Sequence, residues 1–395
     1  MSASLRADLL ASVVVFLVAL PLCMGIAIAS GFPPAAGIIT GIIGGLIVSP
    51  LGGSIFQVTG PAAGLVVIVA ELARNQGMER LGLIVMLAGI MQIAGGFAGL
   101  ALWFRAVPPS VIRGMLSGIG ILICASQFHI MVDDTPKSSG LQNIIFIPQA
   151  IWKGVTPDST TSHTEAATIG IITIAVLVLW NRFVAQRIKA APGALVAIVA
   201  ATLAAALWHA PVHYVQLPAN LSDDLHWLQL PTFSMLLDRN VLLSAAAIAI
   251  VASAETLLTA SALDALNAGK GTDFGRELRA QGLGNVLCGI AGVLPLTGVM
   301  VRSGVNLNAG AKSRLSATMH ALWLLVPVAF FPEIVSLIPT SSLAALLVYA
   351  GFELADLRAT RDLARYGRGE VLIYWVTALS IVCIDLLSGV TIGVA

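Results

Sequence analysis

Arg302 lies in 293-VLPLTGVMVRSGVNLNAG-310, with apolar neighbours on both sides and the nearest other cation at Lys312. An arginine in such a run is either a helix-end residue reaching for the headgroups or a charge held inside the membrane for a ligand. Lys312 and Arg314 already supply cations for the boundary, which favours the second reading. A second charge, Glu255, sits well inside the apolar run 251-VASAETLLTASALDAL-266, and Thr259 follows one turn later on the same helix face. Glu255 could pair with Arg302 as a structural salt bridge, or it could serve a coupling cation as ligand or proton carrier. Charge counting separates these. Arg302, Glu255 and a monovalent anion together leave one surplus negative charge in low dielectric, which a bound Na⁺ or a proton on Glu255 removes. The pattern predicts anion–cation symport.

The elements that must position these residues are membrane helices. Hydrophobic residues make up 57% of the chain and charged ones only 10%, against about 25% charged in soluble domains. Long apolar runs with short polar breaks give an all-α polytopic membrane protein. Spans are readable at 9–30, 35–52, 79–104, 108–132, 164–184, 191–210, 240–266, 278–293, 313–335, 340–355 and 369–386, with a last one starting near 387 and cut at Ala395. The first is too long for a signal-peptide core and runs into further spans, so it is read as a retained helix. The chain is expected to stop short of its natural C-terminus. Two further segments, 60-GPAAGLVVIVAELA-73 and 298-GVMVRSGVNLNAG-310, are too short to cross alone. Each follows an extended-looking stretch, 54-SIFQVT-59 or 293-VLPLT-297, and begins at a Thr-Gly pair.

Counting the last span as complete gives fourteen segments. The short ones stand third and tenth, which suggests a 7+7 repeat: 1–210, a connecting external loop 211–239, and 240–395. An odd number of spans per repeat makes the two inverted. Charge supports this topology. With the N-terminus cytoplasmic, fifteen of the 21 Lys and Arg fall on cytoplasmic segments, among them Arg105, Arg187, Lys189, Lys270 and Arg358, and five fall outside. The outer loops also hold Asp133, Asp134, Asp223 and Asp224. In this layout both short helices start near the bilayer midplane, at Gly60 and Gly298, with Pro61 in the first helical turn. Their N-termini, each carrying unpaired N–H groups and about half a positive charge, then face one gap.

The remaining features argue against other classes. A net charge of +1 gives no basic surface for nucleic acid. Cys23, Cys124, Cys288 and Cys383 stand singly in apolar runs, as buried hydrophobes do. His163, His209, His213 and His226 fall in or near outer loops without metal-site spacing, and no nucleophile–base pair is apparent, so no enzyme is expected. Gly37, Gly41 and Gly45 have the spacing of close helix packing. The triplet Asn220-Leu-Ser222 is a chance glycosylation pattern, and 141-LQNIIFIPQAIWKGV-155 suggests an external interfacial helix.

At 18-VALPLCMGIAIASGFPPAAGI-38, 57-QVTGPAAG-64, 253-SAETLLTASALDA-265, the loop 276-RELRAQGLGN-285 and 297-TGVMVRSGVNLNAGAKSRLSA-317, the chain resembles the sulfate permease (SulP) family. The resemblance implies core and gate domains, with an anion site between the third and tenth segments on Thr59, Gly60, Pro61, Ala62, Val301 and Arg302. Cation coupling falls on Glu255 with Thr259 beside it, an arrangement similar to the Asp–Thr pair of sodium-dependent bicarbonate transporters. Na⁺ or H⁺ would be the coupling ion, with no other cofactor. Leu22 and Ala62 depart from the glutamine and the aromatic residue of other members, which lowers the likeness to chloride or oxalate exchangers. Also implied are a homodimer in a bacterial inner membrane and a cytoplasmic STAS or carbonic anhydrase domain or partner. The expected function is Na⁺-coupled bicarbonate transport, with H⁺-coupled sulfate or dicarboxylate symport and an anion channel as alternatives.

Overall fold

The computed structural model describes residues 3–101, 108–137, 139–156, 161–184, 192–216, 227–228, 233–236, 238–266, 271–330, 332–355, 359–384 and 386–394. Arg105, Arg187, Lys189, Lys270 and Arg358 of the charge count lie outside these residues, as do Asn220, Ser222, Asp223, Asp224 and His226 of the connecting loop. The described chain is helical apart from two three-residue strands. In order these are α1 (Ala3–Ala29), α2 (Pro34–Ile43, continued through a wide turn at Gly44–Val48 to Leu51), β1 (Thr59–Pro61), α3 (Val66–Gln76), α4 (Met78–Phe97), α5 (Pro109–Met131), α6 (Gly140–Ile145), α7 (Ile147–Val155), α8 (His163–Leu179) and α9 (Gly193–Leu207). There follow α10 (Phe233–Leu236), α11 (Arg239–Leu266), α12 (Phe274–Ala291), β2 (Leu296–Gly298), α13 (Met300–Asn308), α14 (Arg314–Phe330), α15 (Pro332–Val335), α16 (Thr340–Leu354), α17 (Ala359–Ala364), α18 (Arg368–Cys383) and α19 (Leu386–Val394).

Among the described residues, six helices are long and apolar enough to cross a bilayer: Ser4–Ala29, Pro34–Leu51, Met78–Phe97, Pro109–Met131, His163–Val184 and Arg239–Asp264. By contrast α3 has 11 residues and α13 only 9, about 17 and 14 Å at 1.5 Å per residue, half a bilayer core. The motif 276-RELRAQGLGN-285, named as a loop although the expected span 278–293 covers most of it, is helical throughout. Asp273 caps α12 by accepting from the Arg276 N–H at 2.9 Å, so the helix starts ahead of the motif rather than within it.

The chain packs as two compact units. One comprises Met1–Arg105, Val184–Leu195 and Val215–Leu337; the other comprises Ala106–Phe183, Val196–Tyr214 and Ile338–Ala395. Both halves of the sequence contribute to each unit. In the first, α4 lies directly on α12 because glycines meet. A Cβ on Gly89 would stand 2.5 Å from the Gly282 carbonyl, and one on Gly289 would stand 2.6 Å from that of Gly82. The expected small-residue face of α2 is used in the same way: Gly37 and Gly41 pack on Cys23, and Gly45 on Ala321.

In the second unit Gly120 of α5 meets Gly351 of α16, and Ser117 and Tyr374 share a 2.7 Å hydrogen bond. The segment expected as one interfacial helix is two, α6 and α7, which expose Ile145, Trp152 and Val155 and bury Asn143 and Ala150. They are tied to the end of α5 by Asp134. Its carboxylate meets His129 Nδ1 at 3.0 Å and Lys153 Nζ at 2.8 Å.

Candidate functional site

Between the two half-length helices the backbone does not simply turn; it forms a two-stranded antiparallel ribbon. Thr59 pairs with Gly298, Gly60 with Thr297 and Pro61 with Leu296. Irregular backbone at membrane depth must satisfy its own polar groups, and this pairing does so. The Val299 N–H donates to the Val58 carbonyl at 2.9 Å, and the Ala62 N–H to that of Pro295 at 3.4 Å. Pro61 therefore sits in a non-hydrogen-bonded pair, where a missing N–H costs the ladder nothing. This corrects the expectation that Pro61 opens a helix and that the half-helices start at Gly60 and Gly298. The first begins with a tight turn at Ala63–Leu65, and the second with Met300 after Val299.

The pairing is offset by one residue relative to the two Thr-Gly sequences, so the two threonines point to opposite faces. On one face stands Thr59, whose Oγ1 accepts from Gln281 Nε2 at 2.9 Å. On the other stand Gly60 and Thr297. A Cβ on Gly60 would lie 2.1 Å from Arg302 Nη1, so the guanidinium lies directly against that glycine. Arg302 is completely buried, and Nε, Nη1 and Nη2 have no hydrogen-bond partner. Cys23 and His320, whose Nε2 is also buried and unpartnered, lie within reach of its charge.

Glu255 approaches the same face. Its carboxylate neighbours the Thr297 hydroxyl and the Gly64 N–H, while Oε2 is buried without a partner. No ion pair joins Glu255 to Arg302; among the described residues the ion pairs involve neither. The structural salt bridge open in the sequence does not form.

Helix α11 holds the outer edge of β2 by two hydroxyls. Gly298 N–H donates to Thr256 Oγ1 at 3.1 Å, and Thr259 Oγ1 donates to the Gly298 carbonyl at 3.0 Å. Thr259 thus keeps its lone pairs free while its proton is used. Ala62 is buried beside the ribbon. Val301 has a side chain 42% exposed, and its backbone N–H is among the donors of the first turn of α13, which have no partner within the helix. Of the expected anion residues, then, Gly60 and Arg302 are in direct contact, Thr59 directs its side chain to the opposite face, Pro61 has no N–H to give, the Ala62 N–H is already used by the Pro295 carbonyl, and Val301 lies in the first turn of α13.

The sulfate permease family profile matches residues 5–377. The chain belongs to the sulfate permease family. YvdB of Bacillus subtilis, provisionally named a sulfate transporter, is 28% identical over 396 residues, covering 98% of this chain and 71% of its own length. The bicarbonate transporter BicA of Synechocystis is also 28% identical, over 400 residues, 99% of this chain and 68% of that protein. Among solved structures, the transmembrane domain of a cyanobacterial bicarbonate transporter BicA matches with a TM-score of 0.82 at 24% identity, covering 98% of both chains. SLC26A9 matches with the same score at 19% identity, covering 99% of this chain and 64% of that one. Membership makes the chain a multi-pass membrane anion transporter rather than an enzyme, and the structural matches give it that fold.

Three groups of this family member escaped the sequence reading. Thr297 was noted only as a helix start, although it is the hydroxyl on the charged face. Thr256, at i+1 from Glu255, looked like an ordinary polar residue of a helix. Glu277 is 2% exposed, a buried carboxylate like Asp8; it lies one residue ahead of the span expected at 278–293. The signal for it was Glu277, Gln281 and Asn285 at i, i+4 and i+8, one helix face carrying three polar groups.

Proposed function

We propose that this member of the sulfate permease family takes up bicarbonate coupled to Na⁺ by alternating access. The observation that carries this reading is the Arg302 guanidinium, buried with all three nitrogens unpartnered while Glu255, beside Thr297 on the same face of the ribbon, is left out of any ion pair. Burying a lone charge costs several kcal/mol, and a packed protein keeps one only for a partner it lacks. An anion against Arg302, Gly60 and the first N–H groups of α13 supplies that partner, with the helix end adding positive potential. The anion leaves the site one negative charge in surplus. Glu255 Oε2, with Thr259 and Thr297 as neutral oxygens, is the group to which a cation adds.

The bicarbonate choice draws support from the BicA relatives and the Glu255–Thr259 spacing. The sulfate-transporter name of YvdB favours a second reading, H⁺-coupled sulfate uptake, in which protonated Glu255 replaces bound Na⁺. We extend the proposal to a homodimer in a bacterial inner membrane, with fourteen spans in a 7+7 inverted repeat and the N-terminus cytoplasmic. A STAS or carbonic anhydrase domain or partner would then act on the cytoplasmic side. Uptake of labelled bicarbonate into proteoliposomes, with and without a Na⁺ gradient and with sulfate as competitor, tests the assignment. Na⁺-driven accumulation resistant to sulfate is expected; gradient-independent conductance would make the chain a channel.

A further inference from the structure

The charged face of the ribbon is only as well placed as the opposite face allows, and that opposite face hangs on one carboxylate. Glu277 accepts from the Gly53 N–H at 2.7 Å and the Ser54 N–H at 2.9 Å through Oε2, and from Gln57 Nε2 at 3.0 Å and Gln281 Nε2 at 3.1 Å through Oε1. The first two partners belong to the segment leading into β1. The other two form a shelf under the ribbon. Gln281 Nε2 continues to Thr59 Oγ1, and the Gln57 amide lies so close to Gly298 that a Cβ there would stand 1.8 Å from its nitrogen. One shelf amide therefore touches β1 and the other β2, at the two members of a single pair.

The carboxylate also decides which way the amides face. An amide oxygen turned toward Glu277 would be repelled, so both must present nitrogen. Gln281 then has its second hydrogen free for Thr59. Arg314 closes the arrangement from the other side of the same segment, donating to the Ser54 carbonyl at 3.3 Å and the Gly53 carbonyl at 3.2 Å. Gly53 is held there by close approach, since a Cβ would lie 1.9 Å from the Asp273 carbonyl.

We propose that Glu277 is a positioning residue for anion binding: through Gln57 and Gln281 it sets the height of the Thr59–Gly298 pair, and hence where Gly60 and Thr297 meet Arg302. This rests on reading the Arg302 face as the anion site. Glu277→Asp keeps the charge but withdraws it by about 1.5 Å, one bond length, so it cannot reach the segment and the shelf together. Gln281→Leu keeps the carboxylate and removes one shelf amide.

The test is KM and kcat for labelled bicarbonate, and separately for labelled sulfate, in proteoliposomes carrying each variant, the double variant and Arg302→Gln. Each single variant is expected to raise KM about tenfold with kcat within about threefold. The double variant should be no worse than the worse single one, because both act through the same pair. A folded Glu277→Asp protein whose KM stays within about twofold of the parent overturns the proposal. Should that variant not fold, Gln281→Leu decides by the same criterion. If Arg302→Gln also leaves KM unchanged, it is the anion-site reading that fails; if Arg302→Gln raises KM and Glu277→Asp does not, the positioning role alone fails.

Discussion

Gly60→Ala tests the contact between ribbon and guanidinium with one carbon atom. The added Cβ would stand 2.1 Å from Arg302 Nη1 and 3.3 Å from Cζ. Comfortable contact begins near 3.5 Å, so Nη1 must retreat by about 1.4 Å. The atom met is the far end of a long side chain, so the guanidinium shifts, and in doing so it leaves the place against the ribbon where the proposed anion is held. The backbone itself is not at issue, because Gly60 is not among the residues with positive φ. The perturbation therefore falls on the guanidinium. A hydrogen bond to a charged group is worth about 1.5–3 kcal/mol, and 1.4 kcal/mol is tenfold, so losing it should raise the anion KM by about 10- to 100-fold. The assay is concentration-dependent uptake of labelled bicarbonate and sulfate into proteoliposomes. Adding Arg302→Lys to Gly60→Ala should recover part of the loss, since a single ammonium needs less room than the fork. A Gly60→Ala protein with the parent KM would refute the contact between Arg302 and the transported anion.

Glu255→Gln should abolish the dependence of anion uptake on a cation gradient, read as accumulation ratio against imposed Na⁺ or H⁺ gradient; retained uphill transport removes Glu255 from the coupling. Thr256→Val leaves the Gly298 N–H buried and unpaired, a cost of about 1–3 kcal/mol, visible as a lowered Tm of the purified protein; an unchanged Tm would show that the N–H finds another acceptor. Outside the membrane helices, burial raises the Asp134 pKa, but hydrogen bonds from Lys153 and His129 outweigh it and bring the carboxyl from 3.8 down to about 2. A depressed carboxyl stabilises the folded state above its ordinary pKa and loses that stabilisation only as pH falls through the folded value. Stability from this clasp should thus persist at mild acidity and vanish between about pH 4 and pH 2, and Asp134→Asn should flatten that part of the Tm-versus-pH curve.

Composition and apolar run length were enough to show a polytopic helical protein, because a bilayer constrains length and polarity so tightly. Arg302 and Glu255 were legible for the same reason: a charge in an apolar run stands out. What the sequence hid were features whose meaning depends on partners far along the chain. The ribbon is a pairing of residues 59–61 with 296–298, and three-residue strands carry no periodicity to detect. The span expected at 278–293 is α12, but its first turn lay outside that span because Arg276 and Glu277 read as solvated. Only its burial against the segment ahead of β1 shows that Glu277 has four N–H donors waiting for it.

The one-residue offset in the ribbon has a chemical consequence that similarity between the two halves conceals. In sequence, 59-TG-60 and 297-TG-298 look equivalent, and two equivalent hydroxyls on one site would be the natural inference. Because Thr59 stands opposite Gly298 and Gly60 opposite Thr297, the two hydroxyls are sent to different faces. Thr59 is fastened to the Gln281 shelf, and its own half of the charged face is bare glycine, which is what lets a guanidinium lie there. Thr297 occupies the other half, beside Glu255. One half of the face thereby carries a guanidinium and the other a carboxylate beside a hydroxyl, an asymmetry that pairing Thr59 with Thr297 would remove and on which the proposed anion–cation coupling rests.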